Sequence, residues 1–233
     1  MAWELVGRWG GLHFIPPFSS VAAAAVRMIS TGQIVDPLIA SLAALLIGYG
    51  MAVVLGVPLG FLVGRFRTVE YVLGPYLNAF LATPKIALAP VLFTLFGINR
   101  LVQVAIIFLS AFFIIVLNTA RGIQTVDVAF LEMARSFGAR ERHLFWKVLL
   151  PGAMPLAMAG LRLAIGNAVK GMITGEMLIT LFGLGALLRT YGNRMDAERV
   201  FAILLVVISI ALLCSAAVQA IEQRLTHWTD PAS

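Results

Sequence analysis

Charge is scarce in this chain, and so are the residues that usually carry chemistry. Of its 233 residues only 12% are charged, one is cysteine and three are histidine. The single thiol, Cys214, leaves no internal disulfide framework and no thiolate metal cage. Sitting in an apolar run, it reads as a small packing residue. His13, His143 and His227 are too far apart for metal-ligand spacing, and His143 reads as polarity on a helix surface. The chain has no Ser-His-Asp set, no carboxylates paired in sequence and no Gly-x-x-x-x-Gly-Lys-Ser/Thr loop. Neither nucleophilic catalysis nor ATP hydrolysis is therefore assigned to it. The N-terminal segment holds Trp3, Glu4, Arg8 and Trp9 without a continuous apolar core, which argues against a cleavable signal peptide.

Apolar surface, by contrast, is abundant. Hydrophobic residues make up 61% of the chain and the mean hydropathy is +0.96, which excludes an ordinary water-soluble domain. Runs long enough to cross a bilayer, about 20 residues each, fall at 37–63, 71–97, 101–120, 154–180 and 200–221. A short helix over 18–31 is expected to lie at the membrane interface. The expected fold class is all-α, a polytopic membrane helix bundle of about five spans. Residues 1–36 form a tail and the interfacial helix, 37–225 the transmembrane domain with a cytoplasmic loop at 121–151, and 226–233 a C-terminal tail. The net charge is +6, but the basic residues are scattered between spans, so they face membrane lipid and not nucleic acid. Arg65, Arg67, Arg121, Arg135, Arg140, Arg142, Lys147 and Arg224 share one side; Arg8, Arg27, Arg100, Arg189, Arg194 and Arg199 share the other. This bias places the 121–147 loop and the C-terminus in the cytoplasm and the N-terminus outside.

Several spans carry internal features. Ala52, Gly56, Gly60 and Gly64 recur every four residues, which predicts a helix face built for close packing. Pro84 and Pro90 flank Lys85 in the second span, and each removes a backbone donor, so this span is expected to kink or break. In the fourth span Asn167, Lys170, Gly171 and Thr174 share one helical face. Polar groups in a membrane are expensive, so Lys85, Asn167, Lys170 and Thr174 are candidates for lining a passage. Glu176 lies about 240° around the helix from Lys170, so the two cannot pair within one helix. It either joins the passage or ties two helices together.

The densest polar cluster runs from Asp127 to Pro151. Asp127 is placed to cap a helix that continues to Phe137, and Gly138 supplies a turn at positive φ. From Arg140 to Leu149 a second helix would set Leu144, Phe145, Val148 and Leu149 on one side and Arg140, Arg142 and Lys147 toward water. Pro151 is expected to end it. An amphipathic element of this length is suited to docking on another protein.

Glu132, Ala134, Gly138 and Pro151 resemble the EAA loop, E-x-A-x-x-x-G with a later L-P, of permease subunits of ATP-binding-cassette (ABC) importers. Met133 stands where many members have alanine. Leu117-Asn-Thr-Ala-Arg-Gly-Ile, Gly160-Leu-Arg-Leu-Ala, Gly175-Glu-Met-Leu, Pro16-Pro17-Phe18-Ser19-Ser20-Val21 and Gly183-Leu-Gly185 are similar to the branch that imports nitrate, sulfonates and taurine. The resemblance covers residues 15–225. It implies a type I ABC importer permease fold in the bacterial cytoplasmic (inner) membrane, with no cofactor of its own. ATP and Mg would be bound by a separate cytoplasmic ABC ATPase docked on Glu132, Ala134, Gly138, Arg140, Leu144, Phe145 and Pro151. A periplasmic or surface-tethered solute-binding protein would deliver cargo, and a second permease copy would complete a homodimer. Lys85, Asn167, Lys170, Thr174 and Glu176 would line the substrate path. Two lysines point to a small anion such as a sulfonate, nitrate or organic acid, with a neutral or cationic nutrient left open. A secondary carrier or channel would explain the spans but not the amphipathic element, and no internal inverted repeat supports it.

Overall fold

The computed structural model describes residues 3, 4, 7, 15–179 and 183–226. Arg8, Trp9, His13, His227 and the tail beyond residue 226 lie outside the described residues. In chain order the helices are α1 (Phe18–Ser30), α2 (Val35–Arg65), α3 (Arg67–Ala82), a 3-10 turn (Lys85–Leu88), α4 (Ala89–Phe96), α5 (Arg100–Gln124), α6 (Val128–Ser136), α7 (Glu141–Ile179), α8 (Gly183–Asn193) and α9 (Ala197–Leu225). Among the described residues there is no strand. Helices α2, α5, α7 and α9 are long and apolar enough to cross a membrane, and α3 with α4 makes a broken fifth.

Helix α5 forms the centre of the bundle, with α2 packed on one side and α7 on the other. Its fully buried Ile106, Ile107 and Ile115 supply the apolar burial that holds the helices together. The α2 contact is made by the four-residue stripe. A Cβ on Gly60 would stand 2.7 Å from the Val116 carbonyl oxygen, and one on Gly64 would stand 2.6 Å from that of Ala120. The backbones approach so closely that only glycine fits, as the small-residue repeat predicts. Cys214 is a free, half-buried thiol packed against the main core. Helix α1 buries Val21, Ala24 and Met28, a helical stripe that lies against α9.

The prolines bear out one expectation and correct two. Residues 71–97 break as expected: α3 and the Lys85–Phe96 segment meet at 98°. Proline disfavours the helical region for the residue before it, and Thr83 accordingly sits at φ −68, ψ 131. Pro90 does not break a helix. It lies in the first turn of α4, where a missing N–H would have no partner anyway.

Pro151 does not end its helix either, because α7 runs unbroken for 39 residues. Its Phe145–Leu149 segment is a π turn, just ahead of the proline. The wider i→i+5 spacing accommodates a ring that would clash with the carbonyl four residues back and that donates no hydrogen bond. The connection between the fourth and fifth spans is partly helical. It contains α8, whose Leu184, Leu187, Leu188 and Tyr191 recur at helical spacing and pack into the main core.

Candidate functional site

Two polar constellations sit toward opposite ends of α7. The first is a cavity of about 290 Å³ where the 3-10 turn meets α5 and α7. Its walls include Lys85, Ser110, Asn167, Lys170, Gly171 and Thr174. The α7 residues come from the single face expected from their spacing. Lys85 joins them because the break at Pro84 turns the chain toward α5. Its Nζ donates to the Leu81 carbonyl at 2.6 Å, taking one of the acceptors left over at the end of α3. Thr174 Oγ1 donates to the Lys170 carbonyl at 2.7 Å and Asn167 Nδ2 to that of Leu163 at 2.9 Å, which fixes both side chains along the wall. No Asp or Glu lines the cavity. Two ammonium groups thus face one space without a carboxylate in its walls.

Glu176 is not part of that wall. It is 1% exposed and points to the other side of α7. Gln103 Nε2 donates to its Oε1 at 2.7 Å and the Gly185 N–H to its Oε2 at 2.8 Å. Ser41 Oγ accepts the N–H of Leu184, the residue before Gly185, at 2.9 Å. The carboxylate therefore joins α5, α7 and the start of α8, and Ser41 ties that start to α2. Sequence reasoning missed Ser41 and Gln103; their only signal is that they are polar residues inside apolar runs.

The second constellation surrounds α6. The Asp127 carboxylate accepts the Ala129 N–H at 2.9 Å, as the capping expectation requires. Past the helix Gly138 has φ 76 and its N–H closes onto the Arg135 carbonyl at 2.8 Å. No residue of α6 is buried. Val128, Phe130 and Met133 are more than half exposed and Phe137 is 85% exposed, an apolar patch on a helix with little of its surface covered. Glu132 and Arg140 also face outward, while Ala134 is half-buried.

Leu144 and Phe145 turn inward instead. Leu144 is 2% exposed, and the Phe145 ring lies 5.3 Å from that of Phe61. Pro151 is half-buried within α7. These three anchor the element to the membrane helices and leave its outer face to α6 and Arg140. A further residue, Glu141, went unnoticed in the sequence. It receives Arg65 at 3.1 Å and Arg135 at 3.3 Å, and so links the end of α2, α6 and the start of α7. Among the described residues no group of His, Cys, Asp and Glu could hold a metal ion.

Residues 56–227 match the family described as binding-protein-dependent transport system inner membrane component. The taurine transport system permease protein of Escherichia coli (strain K12) is 28% identical over 220 residues, covering 92% of this chain and 80% of that protein. The formylaminopyrimidine transport permease protein of Halalkalibacterium halodurans is 31% identical over 226 residues, covering 97% of this chain and 90% of that protein. A solved methionine ABC transporter, in an inward-facing conformation, shares the fold with a TM-score of 0.68 at 21% identity, over 80% of this chain and 93% of that one. The chain belongs to the family of binding-protein-dependent transport system inner membrane components: it is a multi-pass permease subunit of an ATP-driven importer, and hydrolysis and solute capture reside in partner proteins.

Proposed function

We propose that this permease carries a small anion, such as a sulfonate, nitrate or organic acid, across the bacterial inner membrane through the Lys85–Lys170 cavity. The observation that carries this reading is the pair of lysines facing a space with no carboxylate in its walls. Their Coulomb field is strongest where water is excluded and favours an anion over a cation. Asn167, Thr174 and Ser110 add polar groups that can orient a bound solute. Two identical copies would double the lysines around a shared path. Taurine, for which one relative is named, bears a sulfonate. The formylaminopyrimidine relative shows that cargo varies among relatives, so the argument rests on the lysines and not on names.

The α6 element is the docking surface for the ATPase on the cytoplasmic side. Phe137 and Met133 supply apolar contact, Glu132 offers a carboxylate to a basic group, and the turn at Gly138 sets the angle of approach to α7. Closure of the ATPases would push α6, and α7 would pass the movement to the cavity wall. The solute-binding protein would load the opposite face.

The test is transport in proteoliposomes containing the permease, its ATPase and its binding protein, with taurine, nitrate and a cationic amine as probes. Lys170→Met and Lys85→Met should each lower anion flux about tenfold, the equivalent of about 1.4 kcal/mol. Assembly and basal ATP hydrolysis should stay intact. Unchanged anion flux in both variants, or a preference for the amine, overturns the anion reading in favour of a neutral or cationic nutrient.

A further inference from the structure

We propose that Glu176 is a positioning residue that latches α8 over the end of α7 remote from α6, and that this latch must release for that end of the permease to open. The inference rests on the permease reading but not on which solute the cavity takes. Its basis is the number of elements that meet at one buried carboxylate. Gln103 Nε2 holds Oε1 at 2.7 Å and the Gly185 N–H holds Oε2 at 2.8 Å. Ser41, 0% exposed, accepts the N–H of Leu184, the residue before Gly185. The carboxylate and Ser41 thus share the first backbone N–H groups of α8, where the helix dipole favours negative charge. No Lys or Arg pairs with it among the described residues.

The backbone is shaped around this contact. Gly183 sits at φ +87, and a Cβ there would overlap the Glu176 carboxyl group. A Cβ on Gly185 would stand 2.6 Å from Glu176 Cβ. Two glycines bracketing Leu184 therefore let the helix start close down on the acid, which ordinary residues would hold away.

Placement gives the latch its role. Gln103 lies one turn from Ile106 on α5, and Glu176 lies just beyond Thr174 on α7. Ile106 and Thr174 are facing walls of the cavity. The Gln103–Glu176 bond therefore clamps the same two helices that enclose the cavity, on the side toward α8. Any motion that parts α5 from α7 at this end has to break that bond, and any that lifts α8 off α7 has to break the Gly185 bond to the same carboxylate. A buried carboxylate without a counter-cation keeps its hydrogen bonds only while every donor stays in place. Such an arrangement holds firmly when closed and has no partial setting.

The test uses the complete complex with its ATPase, in a Cys214→Ser background carrying Ala186→Cys as reporter. Ala186 lies on the buried side of α8 at 9% exposure, so a membrane-impermeant maleimide reaches it only when α8 lifts. Glu176→Ala should raise the labelling rate about fivefold, a modest shift between two states. It should also lower solute moved per ATP hydrolysed while hydrolysis continues. Glu176→Gln should stay near the parent, since the Gln103 amide can turn over and accept where it had donated. Ser41→Ala, which removes one strand of the network, should give an intermediate rate and keeps the test open if Glu176→Ala does not assemble. Unchanged labelling in Ser41→Ala and in every Glu176 variant that assembles, or flux and hydrolysis falling together in proportion to assembled complex, overturns the latch. A failure of anion transport alone, with labelling responding as expected, would count against the cargo reading and leave the latch standing.

Discussion

Near each end of α7 lie a glycine at positive φ and a glutamate that ties several helices together, yet the two ends work by different physics. At the docking end Gly138 (φ 76) has open space around it and Glu141 lies in water. Arg65 and Arg135 hold that carboxylate by charge, in a medium where exposed ion pairs contribute little and salt screens them. At the far end Gly183 (φ 87) lies against the Glu176 carboxyl group, which is held by uncharged donors away from water. There each broken hydrogen bond exposes a group with nothing else to bind. A tie of the first kind can be remade continually while the docking element moves. The second kind favours one arrangement strongly.

Substitutions at matched positions test this contrast. The largest effect is expected for Gly183→Ala, which adds backbone strain of about 1–2 kcal/mol to displacement of the carboxylate, costing about 1–3 kcal/mol more. The thermal midpoint of the purified complex should fall clearly. Gly138→Ala meets only the strain, about 1–2 kcal/mol, because no atom stands near its added Cβ. Its midpoint should fall by less than that of Gly183→Ala, while solute-stimulated ATP hydrolysis drops as the docking turn shifts. If the two glycine variants melt alike, the contrast between the ends fails. The smallest effect belongs to Glu141→Gln. It should leave the midpoint unchanged and weaken coupling only at low ionic strength. Parent and variant should converge near about 1 M salt, where the screening length is about 3 Å. A coupling defect that persists at high salt would show that Glu141 acts through more than its charge.

Features with a short repeat were legible in the sequence. The glycine stripe of α2, the shared face of Asn167, Lys170 and Thr174, the Asp127 cap and the Gly138 turn all depend on residues within a few positions of one another. Pro84 signalled a break but not its 98° angle, which packing of α4 against α5 decides. That angle brings Lys85 to the α7 lysine, so the cavity itself was not legible from either helix alone. Ser41, Gln103 and Glu176 come from three separate spans, and nothing in their local patterns says that they meet. Helix α8 carried a readable spacing, obscured by its two early glycines and its position between longer apolar runs. Pro151 misled because a proline stops a regular helix, and the sequence does not announce that the preceding turn has widened.

That widened turn sets an angle. A π turn holds one residue more than the α-helical turn it replaces, and each residue of an α-helix advances about 100°. The Glu141–Leu144 segment is therefore rotated about the α7 axis by roughly that amount from where an unbroken helix would put it. In this phase Leu144 faces the core at 2% exposure, and Glu141 meets both Arg65 and Arg135. Shortening Phe145–Leu149 by one residue would swing Leu144 toward water and Glu141 away from its partners, with no other side chain altered. Helix α7 thus carries two helical wheels on one axis, set a residue apart, and the phase between them aims the docking surface.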